Sequence, residues 1–268
     1  MTKIMVLGCG RMGREIIREA VDSGYRLVAA IDAEDSPLNG ADAGLISGIN
    51  KLGVKVMPAT HLEQLLDETR PDVVVDFTNA QACFWNTKVI VQKNTNMVIG
   101  TTGLTPGQLK EVEQEINNHN VGAVISPNMS VGVNVFWQLI KQATGYLKDY
   151  DIEIIESHHR FKKDAPSGTA IKTADIISEI KGDKLEDVGV YGRHGAAERK
   201  KDEIGIHAIR AGDIVGEHTV IYATLGERIE VTHKAHSRGA LVKGVIKAIK
   251  FIKDKKGVYG MDEVLGLN

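Results

Sequence analysis

Short apolar runs alternate with longer amphipathic segments through the first half of the chain. The runs predict buried strands at residues 4–7, 27–31, 73–77, 97–99 and 121–125. Helical spacing follows the first run, at Met12, Ile16, Ile17 and Ala20. Residues 105–108 (TPGQ) have the composition of a capping box with proline at the first helical position, so a helix should begin there. This alternation predicts parallel strands joined by right-handed helical crossovers.

The pattern changes after Asn128. A helix is predicted from the spacing of Val133, Phe136, Trp137 and Ile140. Long β-rich stretches then cover residues 151–156, 204–210, 216–225 and 228–233. Residues 211–213 and 226–227 are typical of hairpin turns, which join antiparallel strands. Helical spacing returns at residues 239–253.

These patterns predict an α/β protein with two domains. The first is a parallel-sheet domain of residues 1–127, joined by a C-terminal helix at residues 239–268. The second, residues 128–238, is expected to be a smaller mixed α/β domain with a largely antiparallel open sheet.

Composition narrows the function classes. The chain has 268 residues, 43% of them apolar, and a formal net charge of −2, which is ordinary for a soluble globular protein. That balance provides no basic field for nucleic acid, and the apolar runs are far shorter than the roughly 18 residues of a membrane span. Two cysteines, Cys9 and Cys83, exclude a disulfide framework. We expect a reduced, cytoplasmic protein without a secretory signal and without nucleic-acid or membrane partners.

Residues 8–13 read GCGRMG, a G-x-G-x-x-G between a predicted strand and a predicted helix. In such a loop Gly8 permits the tight turn, Gly10 lets a pyrophosphate approach the backbone, and Gly13 permits close helix–strand packing. Asp32 lies 19 residues beyond Gly13 and ends the next strand, where a carboxylate binds the ribose 2′-hydroxyl. The glycine motif alone is also compatible with a plain glycine turn. Asp32 is likewise compatible with a simple cap at the end of a strand. In this context the motif predicts a Rossmann-like dinucleotide-binding domain.

Two later loops follow predicted strands of the same sheet. They are Gly100-Thr101-Thr102-Gly103 and Ser126-Pro127-Asn128-Met129. Ligands bind beyond the carboxyl ends of parallel strands, so both loops are candidate cofactor contacts. Each is equally compatible with a simple turn.

The second half contains seven of the nine histidines, between residues 158 and 236. His158 and His159 follow a strand, and Lys162 follows four residues after His158. Ser167 is a credible N-cap, and Gly168 and Thr169 would present backbone amides at a helix N-terminus, which favours an anion. The set suits protonation of a substrate that carries carboxylates. No metal is predicted, because neighbouring histidines on a strand do not converge and no other ligand motif accompanies them.

Several of these segments together resemble the dihydrodipicolinate reductase family, whose members are also called 4-hydroxy-tetrahydrodipicolinate reductases. The matching segments are GCGRMG at residue 8, VVVDFT at 73, GTTGLT at 100, SPNMSVGVN at 126, EIIESHHRFKKDAPSGTA at 153, RAGDIVGEHTV at 210 and ERIEVTHKAHSR at 227. They occur in the family's order over nearly the whole chain.

The resemblance implies an activity and an assembly. Members use NADH or NADPH to reduce a cyclic dicarboxylate to tetrahydrodipicolinate with loss of water, in the diaminopimelate route to lysine. It implies a homotetramer assembled through the second domain's sheet, the domain that would also bind substrate and perform catalysis.

The resemblance also implies roles for individual residues. His158 would be the general acid/base and Lys162 a proton donor, and His159, Gly168 and Thr169 would bind substrate. The cofactor contacts would be Gly8, Cys9, Gly10, Arg11, Met12, Gly13, Asp32, Gly100, Thr101, Thr102, Ser126, Pro127, Asn128 and Met129.

The chain departs from the family pattern in two places. Its glycine loop is one residue shorter than in many members, and Ala33 stands where an arginine often follows the strand-end acid. Asp32 accepts a hydrogen bond from a ribose hydroxyl but repels a 2′-phosphate, so NADH is expected to be preferred and NADPH accepted.

Two alternatives remain open at this stage. One is another two-domain NAD(P)-dependent dehydrogenase of amino-acid metabolism, although a semialdehyde dehydrogenase would need a nucleophilic cysteine in its catalytic half, and both cysteines lie in the cofactor half. The other is a non-catalytic NADH-binding sensor, although no basic helix-turn-helix is evident.

Overall fold

The structure is a computed structural model that describes residues 1–267. It divides the chain into two compact units. Unit 1 comprises Met1–Val131 and the chain from Leu241 onward, and unit 2 comprises Gly132–Ala240. Within the described residues, every helix is too short or too polar to cross a membrane.

Unit 1 is built on a seven-stranded sheet in which every pairing is parallel. Its strands are β1 (Lys3–Leu7), β2 (Arg26–Asp32), β3 (Val56–Pro58), β4 (Val73–Asp76), β5 (Asn96–Ile99), β6 (Gly122–Ile125) and β12 (Gly257–Tyr259). They lie in the order β12-β6-β5-β4-β1-β2-β3. The direction of winding reverses between β1 and β4, which is the switch point where doubly wound sheets bind ligands.

Helices cover both faces of this sheet. They are α1 (Arg11–Asp22), α2 (Ala43–Ile46), α3 (Leu62–Thr69), α4 (Ala80–Gln92), α5 (Pro106–Asn118), α9 (Gly239–Ile252) and α10 (Met261–Leu265), with a 3₁₀ turn at Ala59–His61. Side chains alternate along each strand, so Ile4 and Val6 pack in one buried cluster while Met5 and Leu7 pack in another. Burial on both faces explains why these strands read as continuous apolar runs.

The predicted capping box is confirmed at the start of α5. The Thr105 hydroxyl accepts a hydrogen bond from the Gln108 amide at 3.2 Å, and the Thr105 amide donates to the Gln108 side chain at 3.0 Å. The reciprocal bonds satisfy two amides that the helix itself leaves without partners.

The prediction of one helix over residues 239–268 is wrong. Helix α9 ends at Ile252, where the Asn96 side-chain amide donates to the carbonyl of Ile252 at 2.7 Å and to that of Lys253 at 2.9 Å. Gly257 then adopts a φ of +95° and begins β12, which pairs in parallel with β6. Residue 268, the end of the predicted helix, lies outside the described residues.

Unit 2 contains a five-stranded mixed sheet with helices on one face. The strands are β7 (Asp151–His158), β8 (Gly189–Tyr191), β9 (Ile204–Arg210), β10 (Gly216–Thr224) and β11 (Glu227–Ala235), in the order β11-β10-β7-β9-β8. Two pairings are antiparallel, β10 with β11 and β10 with β7, and two are parallel, β7 with β9 and β8 with β9. The helices are α6 (Val131–Tyr146), α7 (Gly168–Lys181) and α8 (Leu185–Val188).

The prediction of a hairpin turn at residues 211–213 is wrong, whereas the turn at residues 226–227 does join a hairpin. Strand β7 lies between β9 and β10, so the chain passes from one side of β7 to the other instead of folding back on its neighbour. Gly212 and Asp213 are typical of turns in general, so they fit a hairpin turn and also a connection that passes over an intervening strand. Local composition therefore could not reveal the intervening strand.

The core of unit 2 lies between its sheet and helices α6 and α7. Val220 and Tyr222 of β10 are fully buried with Ile154 of β7, and they belong to one cluster with Phe136 and Ala174. The other face of the sheet, which carries Ile155, Ile209 and Ile221, we call the open face. Its side chains are only partly buried, and Ile209 is 45% exposed.

Candidate active site

Two glycines of the GCGRMG segment, Gly8 in the loop after β1 and Gly13 in the first turn of α1, are required by packing. Gly8 has a φ of +87°, and a Cβ there would lie 2.4 Å from the carbonyl oxygen of Phe77. A Cβ on Gly13 would lie 1.8 Å from the carbonyl oxygen of Gly8. The loop and the helix therefore approach more closely than any side chain allows.

Gly10 has a different role. It is the N-cap residue of α1, and among residues 1–267 no atom lies within 4 Å of the place a Cβ would take and no side chain caps the helix. The first turn that follows reads Arg11-Met12-Gly13, without an acidic residue. Its backbone amides and the positive end of the helix dipole therefore fit an anion such as the pyrophosphate of a dinucleotide.

Cys9 contributes only its backbone to this loop. Its side chain is fully buried, and its sulfur lies 3.6 Å from the carbonyl oxygen of Ile31. Burial raises the pKa of the Cys9 thiol to about 12, and the charge of Asp32 contributes to the same shift. The thiol is therefore protonated and unreactive at neutral pH.

Asp32 ends β2 next to the glycine loop, since the amide of Gly8 donates to the carbonyl of Ile31 at 2.8 Å. The Asp32 carboxylate accepts hydrogen bonds from the Ala33 amide at 3.0 Å and from the Ser36 hydroxyl at 2.8 Å. Both bonds fix the orientation of the carboxylate. It therefore suits a hydroxyl donor such as the ribose 2′-hydroxyl of a dinucleotide.

A buried aspartate that the sequence analysis did not select organises the loop after β5. Asp76 is fully buried and accepts hydrogen bonds from the hydroxyls of Thr78 at 2.7 Å and Thr101 at 2.8 Å, and from the Asn86 amide at 3.0 Å. Gly100 stands against the Phe77 ring, where a Cβ would lie 2.1 Å away. The Thr101 side chain is therefore committed to the protein, while Thr102 is exposed.

The loop after β6 is an ordered turn. The Ser126 hydroxyl donates to the carbonyl of Asn128 at 2.9 Å, and Pro127 is exposed between them. The Met129 side chain is buried in the core, and a Cβ on Gly244 would lie 1.6 Å from the Met129 carbonyl oxygen. Met129, like Cys9, could therefore contact a cofactor only through its backbone.

The histidine-rich segment of unit 2 is built around a buried carboxylate. Nδ1 of His158, at the end of β7, donates to Oε2 of Glu156 at 2.5 Å. Glu156 is fully buried, and its carboxylate also accepts two hydrogen bonds from the Arg210 guanidinium, at 2.7 and 2.9 Å, and one from the Ser167 amide at 2.9 Å. Burial alone would raise the pKa of Glu156, but the bonds from His158, Arg210 and Ser167 hold it at about 2.

His218 packs against the ring of His158 with the ring centroids 5.3 Å apart. Burial, and then the neighbouring His158, lower the pKa of His218 to about 3, so its imidazole is neutral. The Ser167 hydroxyl accepts from the Ala170 amide at 3.2 Å, which leaves its proton to be donated to Nε2 of His218 at 3.2 Å. The neutral ring thus supports the cap of α7.

The N-terminus of α7 is where the sequence predicts an anion site. Ser167 caps the helix, Gly168 is exposed, and among the described residues no atom lies within 4 Å of the place a Gly168 Cβ would take. Lys162, on the segment between β7 and α7, forms an ion pair with Asp164 at 2.8 Å. Helix amides and a lysine on neighbouring segments suit a ligand with carboxylate groups.

His159 lies beside His158 with a half-buried ring, and its Nδ1 has no hydrogen-bond partner within residues 1–267. In the same part of the chain, no group of three or more histidine, cysteine or acidic side chains could hold a metal ion.

Sequence reasoning missed Glu156, Arg210 and His218. One signal was present for Glu156, which lies two residues before His158 on a predicted strand and so shares its face. Arg210 and His218 lie on other strands, and only the strand order brings them to His158. Their contribution could not be inferred from spacing.

Both units match models of known families. Residues 2–129 match the model described as Dihydrodipicolinate reductase, N-terminus, and residues 132–265 match Dihydrodipicolinate reductase, C-terminus. The chain belongs to the dihydrodipicolinate reductase family. The resemblance carried by the glycine loop and the SHHR…APSGTA segment is confirmed.

Relatives within the dihydrodipicolinate reductase family match over the whole chain. The 4-hydroxy-tetrahydrodipicolinate reductase of Methanocaldococcus jannaschii is 52% identical over 272 residues, covering 100% of this chain and 98% of the relative. That of Methanothermobacter thermautotrophicus is 48% identical over 273 residues and covers 100% of both chains.

Solved structures agree with this assignment. A dipicolinate-bound dihydrodipicolinate reductase from Paenisporosarcina sp. TG-14 is 28% identical, with a TM-score of 0.78, and covers 98% of this chain and 99% of that chain. An amine dehydrogenase from Mycobacterium smegmatis, at 14% identity and a TM-score of 0.63, covers 97% of this chain and 95% of its own. The second match shows only that the fold is shared beyond the dihydrodipicolinate reductase family.

Proposed function

We propose that the protein uses NAD(P)H to reduce 4-hydroxy-tetrahydrodipicolinate to tetrahydrodipicolinate with release of water, a step of lysine biosynthesis through diaminopimelate. The observation that carries this proposal is the arrangement in unit 2, where a histidine hydrogen-bonded to a buried carboxylate accompanies an open helix N-terminus. Family membership supplies the identity of the substrate.

NAD(P)H supplies the hydride in this reaction, and the protein must supply a proton. His158 Nδ1 is committed to Glu156, so Nε2 is the nitrogen that exchanges a proton with the substrate. Overall the substrate takes up one hydride and one proton and releases its hydroxyl group as water. A protonated His158 donates that proton to the ring nitrogen as hydride reaches carbon. Lys162 is the second proton donor and would protonate the departing hydroxyl group, a proton balanced by the one that a ring carbon loses on dehydration. A positioned acid of this kind typically accelerates proton transfer by roughly 10²–10⁴-fold.

Substrate carboxylates would be bound at the N-terminus of α7. The backbone amides of Gly168 and Thr169 provide neutral donors, Lys162 provides an ammonium group, and His159 provides an imidazole. The ion pair between Lys162 and Asp164 holds the ammonium group in place, and a substrate carboxylate would replace Asp164 as its partner.

The dinucleotide would be held by the loops of unit 1. Gly8, Gly10 and Gly13 shape the pyrophosphate site, with Arg11 and Met12 at the start of α1. Asp32 would accept the ribose hydroxyl. Residues 100–102 and 126–129 would contact the remainder of the cofactor at the carboxyl ends of their strands.

The direct test is oxidation of NADH, followed by its absorbance, in the presence of freshly generated 4-hydroxy-tetrahydrodipicolinate. We expect turnover with this compound and none with aspartate semialdehyde or homoserine, substrates of other two-domain dehydrogenases. Binding of NADH without turnover would favour a sensor and would contradict the proposal.

We further expect NADH to be preferred over NADPH by roughly several-fold to tenfold. A solvent-exposed contact between Asp32 and a 2′-phosphate costs on the order of 1 kcal/mol, the value for two like charges about 4 Å apart in water, which corresponds to a roughly fivefold preference. Glu34 and Asp35 add negative charge just beyond Asp32, and both are exposed. Arg11 is a nearby cation that would partly compensate. Replacing Ala33 by arginine should raise kcat/KM for NADPH and leave that for NADH nearly unchanged.

The matched control is Ala33→Gln, which adds bulk without charge and should leave the preference where it is. The measurement is kcat/KM for both cofactors at one ionic strength, because screening changes charge–charge contacts. A wild-type enzyme that favours NADPH tenfold or more would show that Asp32 does not face the ribose.

A homotetramer assembled through the open face is the expected assembly. Ile155, Ile209 and Ile221 present partly exposed apolar surface on one side of the unit 2 sheet, and burial between subunits would remove it from water. Light scattering should give a particle of roughly 116 kDa, four times the 29.1 kDa of one chain. Ile221→Lys should dissociate it, because a charge would enter the interface.

The control for assembly is Leu225→Lys. Leu225 is fully exposed in the turn between β10 and β11, so its replacement should leave the tetramer intact. A wild-type particle with the mass of a single chain at working concentration would contradict the proposal. The cytoplasmic location expected from the two free cysteines stays a prediction.

A further inference from the structure

A carboxylate without any exposed surface lies directly behind His158. Removing an ionised group from water is costly unless its hydrogen bonds are replaced, and Glu156 receives four from the protein. Its partners come from three parts of unit 2. They are His158 on β7, Arg210 at the end of β9, and Ser167 at the cap of α7.

We propose that Glu156, held by Arg210, is a positioning residue that fixes the ring orientation and tautomer of His158 for proton transfer. This inference rests on the proposed reductase activity and deepens it. Glu156 is enclosed behind the imidazole, and it acts through His158 without contacting substrate.

The orientation follows from the hydrogen bonds. Glu156 is ionised and can only accept, so the 2.5 Å bond requires a proton on Nδ1 of His158. Nε2 is thereby left as the nitrogen that gains and loses a proton. When both nitrogens are protonated, the neighbouring carboxylate balances the positive charge of the ring.

Arg210 fixes the carboxylate in turn. Its two terminal nitrogens bond both oxygens of Glu156, and they also donate to the backbone carbonyls of Ile209 at 2.7 Å and Asp164 at 2.6 Å. The bond to Asp164 reaches the segment that carries Lys162. The pair therefore holds the proton-donating histidine and the two substrate-binding segments in one rigid arrangement.

Glu156→Gln is the central variant, because glutamine has the same shape and lacks the charge. Its oxygen can still accept from the Ser167 amide. Its nitrogen then faces Nδ1 of His158 as a donor, so the neutral ring must carry its proton on Nε2 and cannot become an imidazolium without losing that bond. We expect kcat to fall roughly 10- to 1000-fold, less than the roughly 10⁴-fold cost of a wrong histidine tautomer in a serine-protease triad, with KM for the substrate changed by less than about threefold.

A double-mutant cycle separates positioning from a structural role. If Glu156 acts through His158, its replacement should cost little once His158 is glutamine, and Glu156→Gln/His158→Gln should lie within about threefold of His158→Gln alone. If Glu156 merely maintains the fold, the loss in active fraction would multiply the activity of both backgrounds equally. Equal losses in the two backgrounds would overturn the proposal.

The chain provides a matched control on the same strand. Glu153 bonds His207 at 2.6 Å and Arg193 at 3.0 Å, yet it lies on the open face, away from His158. Glu153→Gln should keep kcat within about twofold of wild type, provided that light scattering shows unchanged assembly. If Glu153→Gln lowered kcat as much as Glu156→Gln, the loss would not depend on contact with His158. That result would also overturn the proposal.

If the Glu156→Gln variant does not fold, Arg210→Lys is the alternative test of the same proposal. It retains a positive charge but cannot bond both carboxylate oxygens and the Asp164 carbonyl together, so kcat should fall by roughly three- to thirtyfold, again only in the presence of His158. Undiminished kcat in this variant would contradict the proposal. Failure of the proposed function itself is distinguishable, because wild-type protein would then not oxidise NADH with the substrate.

Discussion

Replacing His158 by glutamine is expected to lower turnover by roughly a hundred- to ten-thousand-fold. Glutamine preserves a hydrogen-bonding side chain of similar length, but it cannot deliver a proton, and a positioned general acid typically contributes an effect of this size. Dinucleotide affinity should be unchanged, because the residues proposed to bind the cofactor belong to unit 1. Steady-state kcat with the substrate and NADH titration by fluorescence measure the two quantities separately.

His194→Gln is the matched control for this prediction. His194 is exposed in the segment between β8 and β9, and its loss should leave turnover within about twofold of wild type. A His158→Gln enzyme with near-normal turnover would remove His158 from the role of acid. Proton transfer would then have to be assigned to another group of unit 2.

Much of unit 1 could be predicted because its signals are local. The apolar runs that become β1, β2, β4, β5 and β6 are buried on both faces, so each run is continuous and short. The glycine spacing and the capping box of α5 are also local, since each depends on a few neighbouring residues. The residues that determine each of these features lie within a single turn or loop, so a short stretch of sequence is enough to predict it.

The errors occurred where distant parts of the chain decide the structure. Strand β12 has only three residues, and it forms because the edge strand β6 is available to pair with it. The connection at residues 211–213 was read as a hairpin because its composition is that of a turn, while β7, which separates the two strands, is more than fifty residues away along the chain. Neither fact has a signature in the local sequence.

The candidate site shows the same division. His158, His159, Lys162 and the cap of α7 lie within one short segment and could be grouped by position and chemistry. The groups that fix the orientation of His158 come partly from other strands, as Arg210 does from β9. A buried carboxylate is the exception, because a glutamate inside an apolar strand already indicates a special environment.

The second large effect is expected at Lys162. Replacement by alanine should lower kcat/KM roughly 10- to 100-fold, because a hydrogen bond to a charged group typically contributes about 1.5–3 kcal/mol. An ammonium that meets a substrate carboxylate stabilises both the bound substrate and the transition state, so KM should rise as kcat falls. His158→Gln, in contrast, should mainly lower kcat. Initial rates over a range of substrate concentrations distinguish the two patterns.

Lys163→Ala is the control, since the neighbouring lysine is exposed and carries the same charge. If Lys162 acted only through a general positive field, the two variants would lose similar activity, and the loss would diminish strongly at high salt. A specific contact predicts a large loss at Lys162 and little at Lys163, with a difference that persists in salt. Equal losses at both positions would show that Lys162 acts only through its charge, without a specific contact to a substrate carboxylate, and would contradict the assignment.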